Sequence, residues 1–217
     1  MRYAYYPGCS LTATAQEYDT ATRAVCAQLG VELEEIPDWT CCGASAAEPV
    51  SRLLTSVLPA RNLALAEALP PHEGVLIPCS ACYLNHLRVE IETERAAEQK
   101  REINAVLAEE DLCYTGGAFV VRHLLELLGI PAIQKALAAQ TLHPLHELSI
   151  APYYGCQILR PYARFDAPEH PRSMEPILHA VGANIHTWAL GNACCGASLM
   201  TTHQPAALHS VARILHA

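Results

Sequence analysis

The sequence has no long apolar run. Nothing in its 217 residues approaches the roughly 18 consecutive apolar residues of a membrane-spanning helix, and Met1-Arg2-Tyr3-Ala4-Tyr5 holds no apolar leader core. No membrane span is expected, and a cytoplasmic location is. Basic residues are also scarce, since 14 Lys and Arg against 22 Asp and Glu leave a net charge of -8. Such a surface repels a phosphate backbone, so no nucleic-acid partner is expected. Zinc-type pairing of histidine with cysteine is missing as well. The histidines crowding the second half, His143, His146, His179, His186, His203 and His209, stand at no ligand spacing from a thiol and read as solvated or core residues.

Cysteine is what the chain has in quantity. With 51% hydrophobic residues it can bury one large core or two of about 100 residues each, so disulfide staples are not needed. In a reducing compartment ten clustered thiols are metal ligands or redox groups before they are disulfides.

The thiols repeat. Cys41-Cys42-Gly43-Ala44-Ser45 returns as Cys194-Cys195-Gly196-Ala197-Ser198. Upstream, Tyr5-Tyr6-Pro7-Gly8-Cys9 returns as Tyr153-Tyr154-Gly155-Cys156, with separations of 32 residues from Cys9 to Cys41 and 38 from Cys156 to Cys194. A duplication that places thiols at corresponding points implies that each half builds a site from its own cysteines. The first half adds Cys79-Ser80-Ala81-Cys82. The same offset of 37 residues from Cys42 to Cys79, applied to Cys195, falls near residue 232, beyond Ala217. The second site is therefore incomplete as written, and the expectation is a truncated chain, a different ligand set being the alternative.

The chain alternates strand and helix patterns. Arg2–Tyr6 reads as a strand closed by Pro7-Gly8, 13–29 as a helix stopped by Gly30, and Val31–Ile36 as a strand ended by Pro37. A helical pattern over 48–69 carries Pro59 as an expected kink or break, Gly74–Ile77 is a short apolar strand, and 81–108 reads as one long charged helix suited to a spine or a partner contact. Ala118–Leu128 reads as a further helix and 131–147 as a linker. Strand 148–154, helix 173–181, strand 183–189 and helix 204–215 then repeat the order. The fold class expected is α/β, two pseudo-repeated modules each with a small parallel sheet flanked by helices, a complete one over 1–130 and an incomplete one over 148–217. Each first-half thiol of the repeated set lies just past a strand end, and the carboxyl ends of parallel strands form the ligand edge. Cys9, Cys41, Cys42, Cys79 and Cys82 should converge there.

Thiolates bind soft metals and iron-sulfur clusters. Adjacent cysteines suit a centre of several irons, where two metals can each take one thiolate, and Gly43 and Gly196 let the backbone approach it. Five ligands exceed what a single zinc needs. Cys26, beside Val25 and Leu29 on one helix face, reads as core packing, and Cys113 has no partner at ligand spacing.

The set Cys9, Cys41-Cys42-Gly43 and Cys79-x-x-Cys82 resembles the cysteine-rich CCG domain. The wording around it, Tyr5-Tyr6-Pro7-Gly8-Cys9, Glu35-Ile36-Pro37-Asp38-Trp39 and Pro78-Cys79-Ser80-Ala81-Cys82-Tyr83, is similar to the B-type subunit of heterodisulfide reductase. That resemblance implies a noncubane 4Fe-4S cluster on Cys9, Cys41, Cys42, Cys79 and Cys82, and a partial second site on Cys156, Cys194 and Cys195. It implies an oxidoreductase component that reduces or forms a disulfide of small thiols, the two clusters facing the substrate. Implied partners are a ferredoxin-like iron-sulfur subunit of the C type and a flavin-bearing subunit of the A type. Two alternatives stand beside it: a CCG electron-transfer subunit of a lactate, glycolate or succinate-type dehydrogenase, and a zinc-binding assembly scaffold.

Overall fold

The computed structural model describes residues 1–44 and 46–217, so Ser45 of the repeated string lies outside the described residues. The chain divides into two compact units, Met1–Leu124 and Leu125–Ala217.

The first unit is built on a four-stranded, fully parallel sheet of β1 (Arg2–Tyr5), β2 (Glu32–Glu35), β3 (Gly74–Ile77) and β4 (Val120–His123), in the spatial order β2-β1-β3-β4. β1 pairs with β2 from Arg2↔Glu32 to Tyr5↔Glu35 and with β3 at Ala4↔Val75 and Tyr5↔Leu76, which buries Tyr3, Ala4 and Tyr5 from both sides. Every residue of β3 is buried, as its unbroken Gly-Val-Leu-Ile run requires of a central parallel strand. The crossovers are α2 (Gln16–Gln28), α3 (Arg52–Glu67) and the pair α4 (Ser80–Arg95) and α5 (Ala97–Leu107). α3 packs on both α4 and α5.

Three expectations from the sequence are corrected here. Residues 118–128 are not one helix: Val120–His123 pairs with β3 as β4, and only Leu124–Leu128 is helical, as α6. The leucines carry helical spacing, but β-branched Val120 and Val121 find an open strand edge, and ladder pairing outweighs local periodicity. The long charged helix is broken at Ala96, where φ is -131° and ψ is 89°. Unbroken, 28 residues would extend about 42 Å; folded in two, the segment buries Ile103 and Leu107 of α5 instead of projecting a spine. Pro59 does not break the helix: α3 runs on through it, because its face is buried and the packing there outweighs the loss of one helical N–H.

In the second unit, residues 131–140 of the expected linker form a helix, α7 (Pro131–Gln140), opened by a proline at its first turn and packed on α8 (Met174–Ala180). The strands foreseen over 148–154 and 183–189 are only two residues each, β5 (Ser149–Ile150) and β6 (Asn184–Ile185), parallel and paired Ser149↔Asn184 and Ile150↔Ile185. Asp166 organises the long loop before α8, accepting bonds from the N–H groups of Arg172 and Ser173 and from the Ser173 hydroxyl. The helix α9 (Gln204–Leu215) follows the second cysteine pair. No described helix is long and apolar enough to cross a membrane.

Candidate metal centre

The strand order decides where a site can form. From β1 the chain crosses to β2 on one side, and from β2 it returns to β3 on the other, so the gap beyond the carboxyl ends of β1 and β3 is a topological switch point. Cys9 follows β1 within α1 (Gly8–Leu11), Cys79 follows β3 as the N-cap of α4, and Cys82 lies in the first turn of α4. Cys41 and Cys42 lie in the loop after β2.

The five thiols meet there. Cys42 Sγ and Cys82 Sγ are 3.4 Å apart and both are buried, while Cys9 Sγ and Cys41 Sγ are 3.9 Å apart at the exposed rim. Cys79, half-buried, is within hydrogen-bonding reach of Cys82. Gly8 brings the Cys9 turn against the buried thiols. Its φ is +74°, and a Cβ there would come within 2.9 Å of Cys82 Sγ, so any side chain would displace a ligand candidate.

Proton affinities divide unevenly among these thiols. A hydrogen bond from Cys82 holds Cys79 down at about 6, helped by the N–H groups of Cys82 and Ala81 at the start of α4 and opposed by burial. The same donor lowers Cys42, again against burial, with the Ala44 N–H and the Asn85 side chain contributing. Cys82 is pushed up, first by its contacts with the Cys42 and Cys79 sulfurs and then by burial. Among the described residues, no three of His, Cys, Asp and Glu close around one point tightly enough for a single metal ion. Paired thiols spread over a rim and a floor fit a centre of several metals better than one tetrahedral ion.

A second layer holds the cysteine loop. Asn62, fully buried on α3, accepts from the Thr40 N–H at 2.8 Å and donates to the Thr40 carbonyl at 2.9 Å. Asn85, buried on α4, donates to the Cys42 carbonyl at 3.1 Å and lies 3.9 Å from Cys42 Sγ. The Tyr6 hydroxyl also donates to the Thr40 carbonyl, at 2.8 Å, and the Tyr6 ring packs on His86 and Trp39. His86 donates from Nδ1 to the Cys82 carbonyl at 2.7 Å, since its Nε2 faces the donating amide of Asn62 at 3.4 Å; burial holds its pKa down at about 4. Tyr6 belongs to the repeated string and Trp39 to the wording beside it, whereas Asn62, Asn85 and His86 did not stand out in the sequence. Asn85 and His86 could have been found as residues three and four after Cys82, on its helix face, whereas Asn62 is one polar residue in an apolar stretch.

In the second unit Cys156, Cys194 and Cys195 come together, and burial followed by the neighbouring Cys194 raises the Cys156 thiol. The Tyr153 hydroxyl donates to the Ala193 carbonyl at 2.7 Å. Ala193 precedes Cys194 as Thr40 precedes Cys41, so Tyr153 answers to Tyr6, one step off the Tyr-Tyr match read in the sequence. Tyr5 and Tyr154 bond instead to Asp19 and Glu175 on helices α2 and α8. Gly43 and Gly196 repeat with φ of +80° and +75°. An apolar cavity of about 510 Å³ lies beside Cys195, lined by Tyr153, Trp188, Val211 and Ile214. Cys26 is core, 1% exposed, and Cys113 is exposed.

The sequence model of the CCG cysteine-rich domain matches residues 3–86 and 150–214, each stretch enclosing one thiol group. The chain belongs to the CCG cysteine-rich domain family. Among its relatives, the 8-methylmenaquinol:fumarate reductase membrane anchor subunit of Wolinella succinogenes is 38% identical over 89% of this chain and 66% of its own length. The B-type subunit of the ferredoxin/F420H2-dependent CoB-CoM heterodisulfide reductase of Methanosarcina acetivorans is 27% identical over 88% and 64%. A protein of Archaeoglobus profundus, named as like the B-type subunit of heterodisulfide reductase, is 25% identical over 94% and 69%. The chain thus spans about two-thirds of the length of these relatives. In fold it is similar to a hypothetical protein from Helicobacter pylori, with a TM-score of 0.74 over 98% of this chain and 38% of that one at 16% identity. The relatives from Wolinella and Methanosarcina are named as subunits of reductases.

Proposed function

We propose that the chain is the iron-sulfur subunit of a heterodisulfide reductase-like complex, reducing or forming a disulfide of small thiols. In it Cys9, Cys41, Cys42, Cys79 and Cys82 hold a noncubane 4Fe-4S cluster, and Cys156, Cys194 and Cys195 supply part of a second site. The observation that carries the proposal is the gathering of five thiols at the switch point of the first sheet, with the Cys42 and Cys82 sulfurs 3.4 Å apart and Cys79 within hydrogen-bonding reach of Cys82. A bound cluster supplies one-electron chemistry, which a disulfide needs twice. The chain's own residues do the rest. Cys42 and Cys82 form a buried floor from which water is excluded, while Cys9 and Cys41 stand at the exposed rim where a substrate or a partner can approach. The apolar cavity beside Cys195 is of a size for a small organic thiol. Electrons would come from a ferredoxin-like iron-sulfur subunit of the C type, with a flavin-bearing subunit of the A type in the same complex.

A second function is favoured by the 38% identity to a fumarate reductase component, which exceeds that to either heterodisulfide reductase relative. There the same thiols would pass electrons in a dehydrogenase of the succinate or fumarate type, without cleaving a disulfide.

Purification of the complex from its native source tests both. Iron with acid-labile sulfide is expected, and disulfide-dependent reoxidation of the reduced complex supports the first proposal. Fumarate-dependent reoxidation with no response to disulfides replaces it with the second. Zinc without sulfide would overturn both in favour of a scaffold.

A further inference from the structure

The Cys41-Cys42 pair hangs between two buried side-chain amides that are not ligands. On one side the Asn62 amide closes a two-bond bridge with the Thr40 main chain, at 2.8 and 2.9 Å, as a neighbouring strand would. On the other the Asn85 Nδ2 donates to the Cys42 carbonyl at 3.1 Å and the Ala44 carbonyl at 3.4 Å, and stands 3.9 Å from Cys42 Sγ. The loop has no regular ladder of its own, so these side chains supply what a strand or helix would otherwise give its backbone. Both asparagines are nearly inaccessible, at 0% and 6% exposure, and each sits on a long helix, so neither can follow the loop if it moves.

We infer that Asn85 is a positioning residue for the cluster proposed above: it fixes the Cys42 peptide and aims an N–H at the Cys42 sulfur. Asn62 anchors the other end of the pair without touching a sulfur. Hydrogen bonds to cluster sulfurs favour the more negative, reduced state and raise the reduction potential. The inference rests on the cluster assignment, and it assigns different effects to the two asparagines. Loss of the Asn85 amide lowers the potential. Loss of the Asn62 amide loosens the loop and leaves the potential where it was.

The test uses the full chain reconstituted with iron and sulfide, comparing wild type, Asn85→Leu, Asn85→Asp and Asn62→Leu for cluster content, for the rate of iron loss to a chelator, and for the midpoint potential. Both Asn85 variants are expected to be about tenfold less reduced at the wild-type midpoint, a downward shift of about 59 mV for one electron. Asn62→Leu is expected to lose iron severalfold faster at an unshifted potential. A folded Asn85 variant that takes up no cluster also supports the inference, because Asn85 supplies no ligand. Asn85 variants with wild-type potential and wild-type iron retention overturn it. Failure of the wild-type chain to take up iron and sulfide overturns the cluster assignment instead. In that case faster amide exchange at Cys42 and Ala44 in folded Asn85→Leu apoprotein supports the positioning role alone, and unchanged exchange removes it.

Discussion

The two thiol groups of this chain are built on the same plan and finished differently. Each has a glycine turn before its first cysteine, a left-handed glycine after its cysteine pair, and a tyrosine hydroxyl on the carbonyl that precedes the pair. In the first unit that plan stands on a four-stranded sheet, and α3 and α4 supply Asn62, Asn85, His86 and two more thiols. In the second it stands on two strands of two residues, and three thiols lie half-buried or exposed. The repeated string therefore sets the local turn, while the depth of the site comes from the strand and helix that follow it.

The largest effect should separate the two groups outright. Cys42→Ala is expected to abolish nearly all iron and sulfide uptake by the full chain, whereas Cys195→Ala should leave most of it and Cys26→Ala all of it. Equal losses from Cys42→Ala and Cys195→Ala, measured by metal and sulfide analysis, would remove the asymmetry.

Acid should weaken the first unit. Burial holds His86 and His123 down at about 4, below the usual imidazole value near 6.5. Between these values the unfolded chain takes up protons that the folded chain refuses, so stability is full above about pH 6.5 and is lost progressively as the pH falls toward 4. Each histidine can contribute a loss of about 3 kcal/mol by pH 4. Thermal melts across this range should flatten in the double variant His86→Gln, His123→Gln, and an unchanged slope would refute the assignment.

Asn62→Leu should cost about 2–3 kcal/mol in urea unfolding, because it strips the Thr40 N–H of its side-chain acceptor and the Thr40 carbonyl of one of its two donors, the Tyr6 hydroxyl remaining. The smallest effect compares the paired tyrosines. Tyr6→Phe and Tyr153→Phe each delete one hydroxyl bond worth about 1 kcal/mol, and the fully buried Tyr6 should lie at the upper end. Reversal of that order would mean that the second site is the more tightly held.

Much of the site was legible because thiols are rare and their spacing repeats. Cys9, Cys41, Cys42, Cys79 and Cys82 could be placed at strand ends from turn signals alone, such as Pro7-Gly8 and Pro78. What periodicity misjudged was local pattern overruled by pairing. Val120 and Val121 were read within a helix because Leu124, Leu125 and Leu128 carry helical spacing, and only the free edge of β3 makes them a strand. Likewise no local signal stops the helix at Ala96, since the break there serves the packing of α5 on α3.

The duplication, the α/β class and the grouping of the cysteines follow from residue identity and spacing along the chain, and needed nothing more. The strand order that creates the switch point, and the approach of the Cys82 sulfur to that of Cys42, exist only once the chain is folded. So does the grip of two asparagines from different helices on one loop. Each of these depends on contacts between residues 22 to 71 positions apart, and a hydrogen bond or a ladder pairing across such distances leaves no periodic trace in the segments it joins.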